Sequence, residues 1–227
     1  MRVEQIGRAT LYCGDSRELV ESLTADVMIC DPPYGIGFDY LSYNDSEEAL
    51  EGLISDLIKP AIERVGRAVI TPGNTNLHKY PKPTWTGAWT WDTTTARGFC
   101  GWSQWQPILI YGRDPAKGFG NHNGIMRSDR IHFSGGQADI QASEGGIHSC
   151  PKPTRFMQRL VARFSNAGEI IFDPFLGSGT TGVACVGMDR DFIGCEIEPA
   201  YFDIACKRIE QAQRQGDLFL GNGSEAA

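Results

Sequence analysis

No stretch of this 227-residue chain approaches the ~18 consecutive apolar residues of a membrane span, and its opening, Met1-Arg2-Val3-Glu4-Gln5, has no apolar core of the signal-peptide kind. No Cys-x-x-Cys pair occurs. The seven cysteines (13, 30, 100, 150, 185, 195 and 206) are odd in number and far apart, which argues against a disulfide framework and for a reducing, cytoplasmic setting. Histidine is scarce at four, and the spacings of His122, His132, His148 and Cys150 fit no zinc finger, so no metal site is expected. Internal repeats are absent. Positive charge is short as well: 21 Lys and Arg against 28 Asp and Glu give a net −7, a poor balance for gripping phosphates.

That average hides a segregation. Residues 106–165 hold eight Lys and Arg against four acids, a local +4 that leaves −11 for the rest. A basic face of this kind is what phosphate contact requires, whatever the total charge. A hydrophobic content of 41% suffices for one well-buried α/β domain over 1–227, and two full domains would be cramped.

Strand-like apolar runs alternate with helical stripes, the pattern of a largely parallel sheet covered by helices. Strands are expected at Thr10–Cys13, Asp26–Cys30, Arg67–Thr71, Pro107–Tyr111, Glu169–Phe172 and Asp191–Cys195. Ser46 suits a helix cap, with Glu47 and Glu48 in the first turn, and Pro60 should kink or divide that helix. Further helices are expected at Thr154–Phe164, at Thr180–Met188 and from Pro199 to about Gln215, with a flexible tail over 216–227. The Gly-, Ser- and Asn-rich span 113–149 reads as a loop-dominated insert that carries recognition on a rigid scaffold.

Two motifs carry chemistry. Asp31-Pro32-Pro33-Tyr34 comes directly after the run Val27–Cys30. A carboxylate and an exposed Pro32 carbonyl can accept the two N–H bonds of a planar amino group, while an aromatic ring stacks on its base. An ordinary polar turn would also use Asp and Pro, so this stretch alone decides nothing. The second motif, Asp173-Pro174-Phe175-Leu176-Gly177-Ser178-Gly179-Thr180-Thr181-Gly182, opens a helix, and Glu196 ends the next strand. Its glycines match the dinucleotide fingerprint. Against a nucleotide-linked oxidoreductase, Asp173 would repel a pyrophosphate, and the Asp31 motif would have no task in hydride transfer. An ammonium for Asp173, a carboxylate for the helix start at Thr180 and a ribose for Glu196 satisfy every group. The ligand with all three is S-adenosylmethionine.

With both motifs in this order, the chain resembles the S-adenosylmethionine-dependent amino-group DNA methyltransferases of the permuted "beta" arrangement, over most of residues 9–212. The resemblance implies a Rossmann-like α/β fold with a seven-stranded, mostly parallel sheet and one antiparallel strand from Pro107–Tyr111 or the Trp85–Trp91 region. It implies base-pocket roles for Asp31, Pro32, Pro33 and Tyr34. Cofactor contacts fall to Asp15, Lys152 (within His148–Pro153), Asp173, Phe175, Gly177, Ser178, Gly179, Thr180 and Glu196. Asp rather than Ser at the first motif position resembles the adenine-N6 enzymes more than the cytosine-N4 ones. DNA is the implied partner, with the 113–149 insert as its reader. That insert is short for the task, which leaves a short site, action as a homodimer or broad sequence tolerance. A catalytically silent DNA-binding subunit is the non-enzyme alternative, disfavoured because the chemical residues are intact. Gln215-Gly216-Asp217-Leu218-Phe219 resembles the peptide that docks on the bacterial replication sliding clamp, and docking on its own domain is the competing expectation.

Overall fold

The computed structural model describes residues 1–40, 42–93, 97–98, 101–113, 128–136 and 152–221. The chain opens with a hairpin of β1 (Arg2–Ile6) and β2 (Ala9–Cys13), then a single turn, α1 (Arg17–Val20), and β3 (Val27–Cys30). Helix α2 (Glu47–Leu53) passes through a π-turn (Ile54–Ile58) into α3 (Lys59–Arg64), and then come β4 (Arg67–Ile70) and β5 (Trp85–Thr93). A short ribbon, β6 (Arg97–Gly98) and β7 (Gly101–Trp102), precedes β8 (Trp105–Gly112) and β9 (Arg130–Gly136). The rest alternates: α4 (Thr154–Phe164), β10 (Ile170–Asp173), α5 (Thr180–Val186), β11 (Asp191–Glu196) and α6 (Pro199–Gly221).

Among the described residues the main sheet has nine strands in the order β1-β2-β11-β10-β3-β4-β8-β5-β9. Seven run one way, and β1 and β8 run against them. The Rossmann-like α/β class holds, but the sheet is wider than the expected seven strands and has two antiparallel members instead of one. The Pro107–Tyr111 region supplies β8. The Trp85–Trp91 region (β5) runs with the majority because β8 reverses direction on either side of it. The extra antiparallel edge, β1, is exposed along most of its length, so no apolar run announces it.

Central β3 is buried at all four positions. It must be, since helices cover both faces, and this is why it reads as a continuous apolar run. One core lies under α4, α5 and α6, where Trp89 stacks on Phe156 with ring centroids 4.3 Å apart. The other lies under α2 and α3. Ser46 caps α2 as expected, its Oγ accepting from the Ala49 amide at 3.1 Å. Pro60 divides the helix as expected, standing in the first turn of α3. Its missing N–H and bulky ring are absorbed by the π-turn, in which the Lys59 amide bonds the Ile54 carbonyl five residues back.

Helix α6 extends past the expected end near Gln215 to Gly221, so the backbone of Gln215–Phe219 is helical. Within the span read as a loop-dominated insert (113–149), Arg130–Gly136 is a strand, and 114–127 and 137–149 lie outside the described residues. So do His122, His148 and Cys150, while His132 Nδ1 lies 3.0 Å from Thr90 Oγ1. Among the described residues no helix is long and apolar enough to cross a membrane.

Candidate active site

The carboxyl ends of the parallel strands converge on one cavity, the place where open α/β sheets bind ligands. Asp31 leaves β3 there. Its Oδ1 accepts from three donors: Tyr34 Oη at 2.8 Å, Thr71 Oγ1 at 2.7 Å and Lys152 Nζ at 2.8 Å. Oδ2 accepts only from Lys152 Nζ among the described residues, at 2.7 Å. The Lys152 ammonium, 7% exposed, also donates to Tyr34 Oη at 2.6 Å, which uses all three of its protons. The resemblance groups Lys152 with the cofactor contacts. Here it lines the cavity, and its charged end sits on Asp31. Pro33 lines the cavity too, Pro32 is buried, and the Tyr34 ring rests on Gly73, where a Cβ would come within 2.9 Å of it.

Two buried polar side chains that local spacing did not reveal fix the turn after Tyr34. Asn76 Nδ2 donates to the carbonyls of Tyr34 (2.9 Å) and Gly35 (3.1 Å). The Asp45 carboxylate, 2% exposed, accepts from the amides of Gly35 (2.6 Å), Ile36 (3.1 Å) and Phe38 (3.0 Å). Asn76 lies 42 and 41 residues from its partners, so only the fold pairs them, whereas Asp45 closes a local loop from seven to ten residues away. Asp45→Ala leaves three amides without an acceptor and is expected to cost about 3 kcal/mol or more, read as a lower midpoint in urea.

The second motif leaves β10 at Asp173, which is 2% exposed and accepts from the Phe175 amide (3.0 Å) and Thr181 Oγ1 (2.5 Å). Burial, outweighing these two bonds, pushes its carboxyl up to about 7. Glu196, at the end of β11, accepts from the Gly177 amide at 2.7 Å and the Glu198 amide at 2.9 Å, and burial raises it as well. Asp15, two residues beyond the neighbouring strand β2, is gripped by the Arg17 guanidinium, which holds its carboxyl below the usual range. Arg208 of α6 reaches the back of the glycine loop and donates to the Ser178 carbonyl and Oγ, both at 2.7 Å, and to Thr180 Oγ1 at 3.3 Å.

The three glycines divide their work. Gly177 and Gly179 have φ of +53° and +85°, a conformation that turns the loop into α5. Gly182 instead permits close packing, since a Cβ there would lie 2.5 Å from Ile209 Cδ1 and 2.9 Å from Phe192 Cε1. Overpacking of this kind costs ~1–3 kcal/mol against a helix-propensity gain of ~1. Gly182→Ala should therefore destabilise the fold by about 1 kcal/mol in denaturant titration and leave ligand contacts intact.

A cavity of about 360 Å³ joins the two motifs, lined by Asp31, Pro33 and Lys152 and by Asp15, Asp173 and Glu196. Asp173, Phe175, Gly177, Ser178 and Thr180 all line it, while Gly179 instead packs on Ala205. The cavity can hold an elongated ligand with hydroxyls near Glu196 and a cation near Asp173, and bring its far end to Asp31.

A sequence profile described as DNA methylase, of the N6/N4 type, matches residues 79–207, more than half of the chain. The chain belongs to the N6/N4 DNA methylase family. Its curated relatives include the type II methyltransferases M2.DpnII of Streptococcus pneumoniae and M.Cfr9I of Citrobacter freundii. They are 43% and 38% identical to it, each over 65 residues, which are 29% of this chain and 24% and 22% of those proteins. The chain thus matches about a quarter of their length. Among solved structures, the M1.HpyAVI–SAM complex superposes with a TM-score of 0.64 at 22% identity, covering 88% of this chain and 98% of that one. The cytosine-N4-specific PvuII DNA methyltransferase gives 0.65 at 14% identity over 96% and 94%. At these identities the likeness establishes the shared methylase fold.

Proposed function

We propose that this family member transfers a methyl group from S-adenosylmethionine to the exocyclic N6 amino group of adenine in DNA. The observation that carries the reading is the uneven loading of the Asp31 carboxylate. Oδ1 takes three donors, whereas Oδ2 takes one among the described residues, and Asp31 lines the same cavity as Asp173 and Glu196.

The residues present fit the cofactor. A buried carboxyl at about 7 has a carboxylate that a ligand ammonium would stabilise, which suits Asp173 to the methionine amino group. Beyond its bonds to the backbone amides of Gly177 and Glu198, Glu196 has acceptor capacity left for ribose hydroxyls. Asp15 would contact the adenine, and the amides that open α5 the methionine carboxylate. When bound, S-adenosylmethionine supplies an already activated methyl, so the chain needs no nucleophile of its own. Cys30, adjacent to Asp31, agrees: it is buried and its thiol is pushed well up by desolvation.

The chain's own task is alignment. An adenine amino group is a poor nucleophile because its lone pair is delocalised into the ring. Asp31 Oδ2 and the Pro32 carbonyl accept its two hydrogens, which localises that lone pair on nitrogen and aims it along the cavity. Tyr34 stacks on the base, held through its hydroxyl by Asp31 and Lys152. The base must leave the duplex to get there, at a cost of a few kcal/mol. The exposed Arg155 and Arg159 on α4 belong to the basic face that would track the phosphates. Asp at the first motif position favours adenine over cytosine.

Incubation with methyl-labelled S-adenosylmethionine and plasmid DNA tests the reading. Label should enter the DNA and be released by nuclease. DNA that stays unlabelled would instead support the silent DNA-binding subunit.

A further inference from the structure

Six large apolar side chains are well exposed among the described residues: Met1, Val3, Ile36, Trp85, Trp105 and Ile197. Val3 belongs to the β1 edge and Met1 directly precedes it, and Ile197 lines the cavity. Trp85 opens β5 at the end of the sheet away from the site, and Trp105 opens β8 with its carbonyl held by Asn74. A single exposed isoleucine is ordinary in itself. Ile36 differs in how its backbone is built. It is 56% exposed and stands two residues beyond Tyr34, so the two Cα atoms are at most about 7 Å apart.

Its own amide and those of Gly35 and Phe38 converge on the buried Asp45 carboxylate, and the Gly37 amide bonds the Asp45 carbonyl at 2.7 Å. Gly35 and Gly37 flank it at φ of +67° and +78°, which throws its side chain outward at the tip of the turn. Asn76 anchors the base of the same turn. A buried carboxylate, two left-handed glycines and a buried amide thus hold one apolar side chain in water beside the base pocket.

We propose that Ile36 is a wedge that enters the DNA base stack as the target nucleotide leaves it, filling the space beside the orphaned partner base. The proposal rests on the reading of this chain as a base-flipping DNA methyltransferase. Extruding a base opens an apolar gap in the stack, and isoleucine is among the side chains that fill such gaps. The Asp45 clamp serves this role by fixing the backbone beforehand, so that little order is lost on insertion.

The test uses the full chain and its methylation site as mapped by sequencing. Two short duplexes carry that site, one fully paired and one mismatched at the target base, which is thereby already loosened. Ile36→Ala should lower kcat/KM on the paired duplex by about tenfold or more and on the mismatched one by less than about twofold. Ile36→Leu should stay near wild type on both, and both variants should bind S-adenosylmethionine like the wild type. Equal loss on the two duplexes, or none on the paired one, overturns the wedge and leaves the methyltransferase reading standing. A wild-type chain that methylates no DNA overturns that reading, and the wedge with it.

Discussion

Asp31→Ala is expected to lower the rate of methyl transfer by about 10³-fold or more while S-adenosylmethionine binding stays within about tenfold. The asymmetry arises from position. Asp31 follows β3, two strands away from β11, which ends at Glu196, and three from β2, which precedes Asp15. On the proposed mechanism, removing it deletes the acceptor that would localise the amino lone pair, and removing one preorganised electrostatic contact at a reacting group commonly costs ~10²–10³. The loss of alignment adds to this, because Thr71, Tyr34 and Lys152 all converge on the same carboxylate.

A stability effect accompanies the catalytic one. Lys152 is buried, and stranding a buried charge costs about 3–5 kcal/mol. The double variant Asp31→Ala/Lys152→Met removes the stranded charge and should recover much of that loss without recovering activity. Single-turnover transfer measured beside calorimetric cofactor binding separates the two effects. A stable double variant that turned over near the wild-type rate would rule out Asp31 as the acceptor.

The second large effect concerns pH. Asp173 carries a carboxyl raised from an ordinary 3.8 to about 7, chiefly by burial. A group whose folded pKa lies above its unfolded one contributes stability that is complete below about 3.8 and is lost as pH rises through about 7. The ligand-free protein should therefore lose stability between about pH 4 and 7 in a way that Asp173→Asn does not. Cofactor binding should show the opposite slope, since only the ionised carboxylate pairs with the ligand ammonium. The dissociation constant should tighten by up to about tenfold per pH unit over about pH 5 to 7 and then level off. Asp173→Ala should abolish that slope and weaken binding at about pH 8 by about 10- to 100-fold, the worth of a charged hydrogen bond. A wild-type affinity that is flat across this range would remove Asp173 from the ammonium site.

Much of the site was legible in the sequence because its parts are local. Asp31–Tyr34 and Asp173–Gly182 each come after an apolar run, and a strand end leading into a turn is where an α/β sheet presents its ligand groups. The partners that fix those parts were not legible. Thr71 reaches Asp31 from 40 residues away, Asn76 reaches Tyr34 from 42, and Arg208 reaches Ser178 from 30. Such pairings are set by strand order and helix docking, which no local period encodes. Asp45 reads in sequence as one more polar loop residue, although its carboxylate organises the turn after Tyr34.

The fold shows the same division. The buried central strands were readable as unbroken apolar runs, whereas exposed β1, and β9 within the Gly-rich span 113–149, lacked that signal. The tryptophans illustrate it too. Composition alone could not separate Trp89 and Trp91, which are buried in the core, from the exposed Trp105.

The most direct test of the central claim is the identity of the methylated nucleoside. DNA lacking prior methylation, incubated with the purified chain and S-adenosylmethionine, is digested and analysed by mass spectrometry beside an Asp31→Ala control. The proposed reading, which takes adenine over cytosine from Asp at the first motif position, predicts N6-methyldeoxyadenosine with the wild type and none with the variant. N4-methyldeoxycytidine as the product, or equal N6-methyldeoxyadenosine from both proteins, would contradict it.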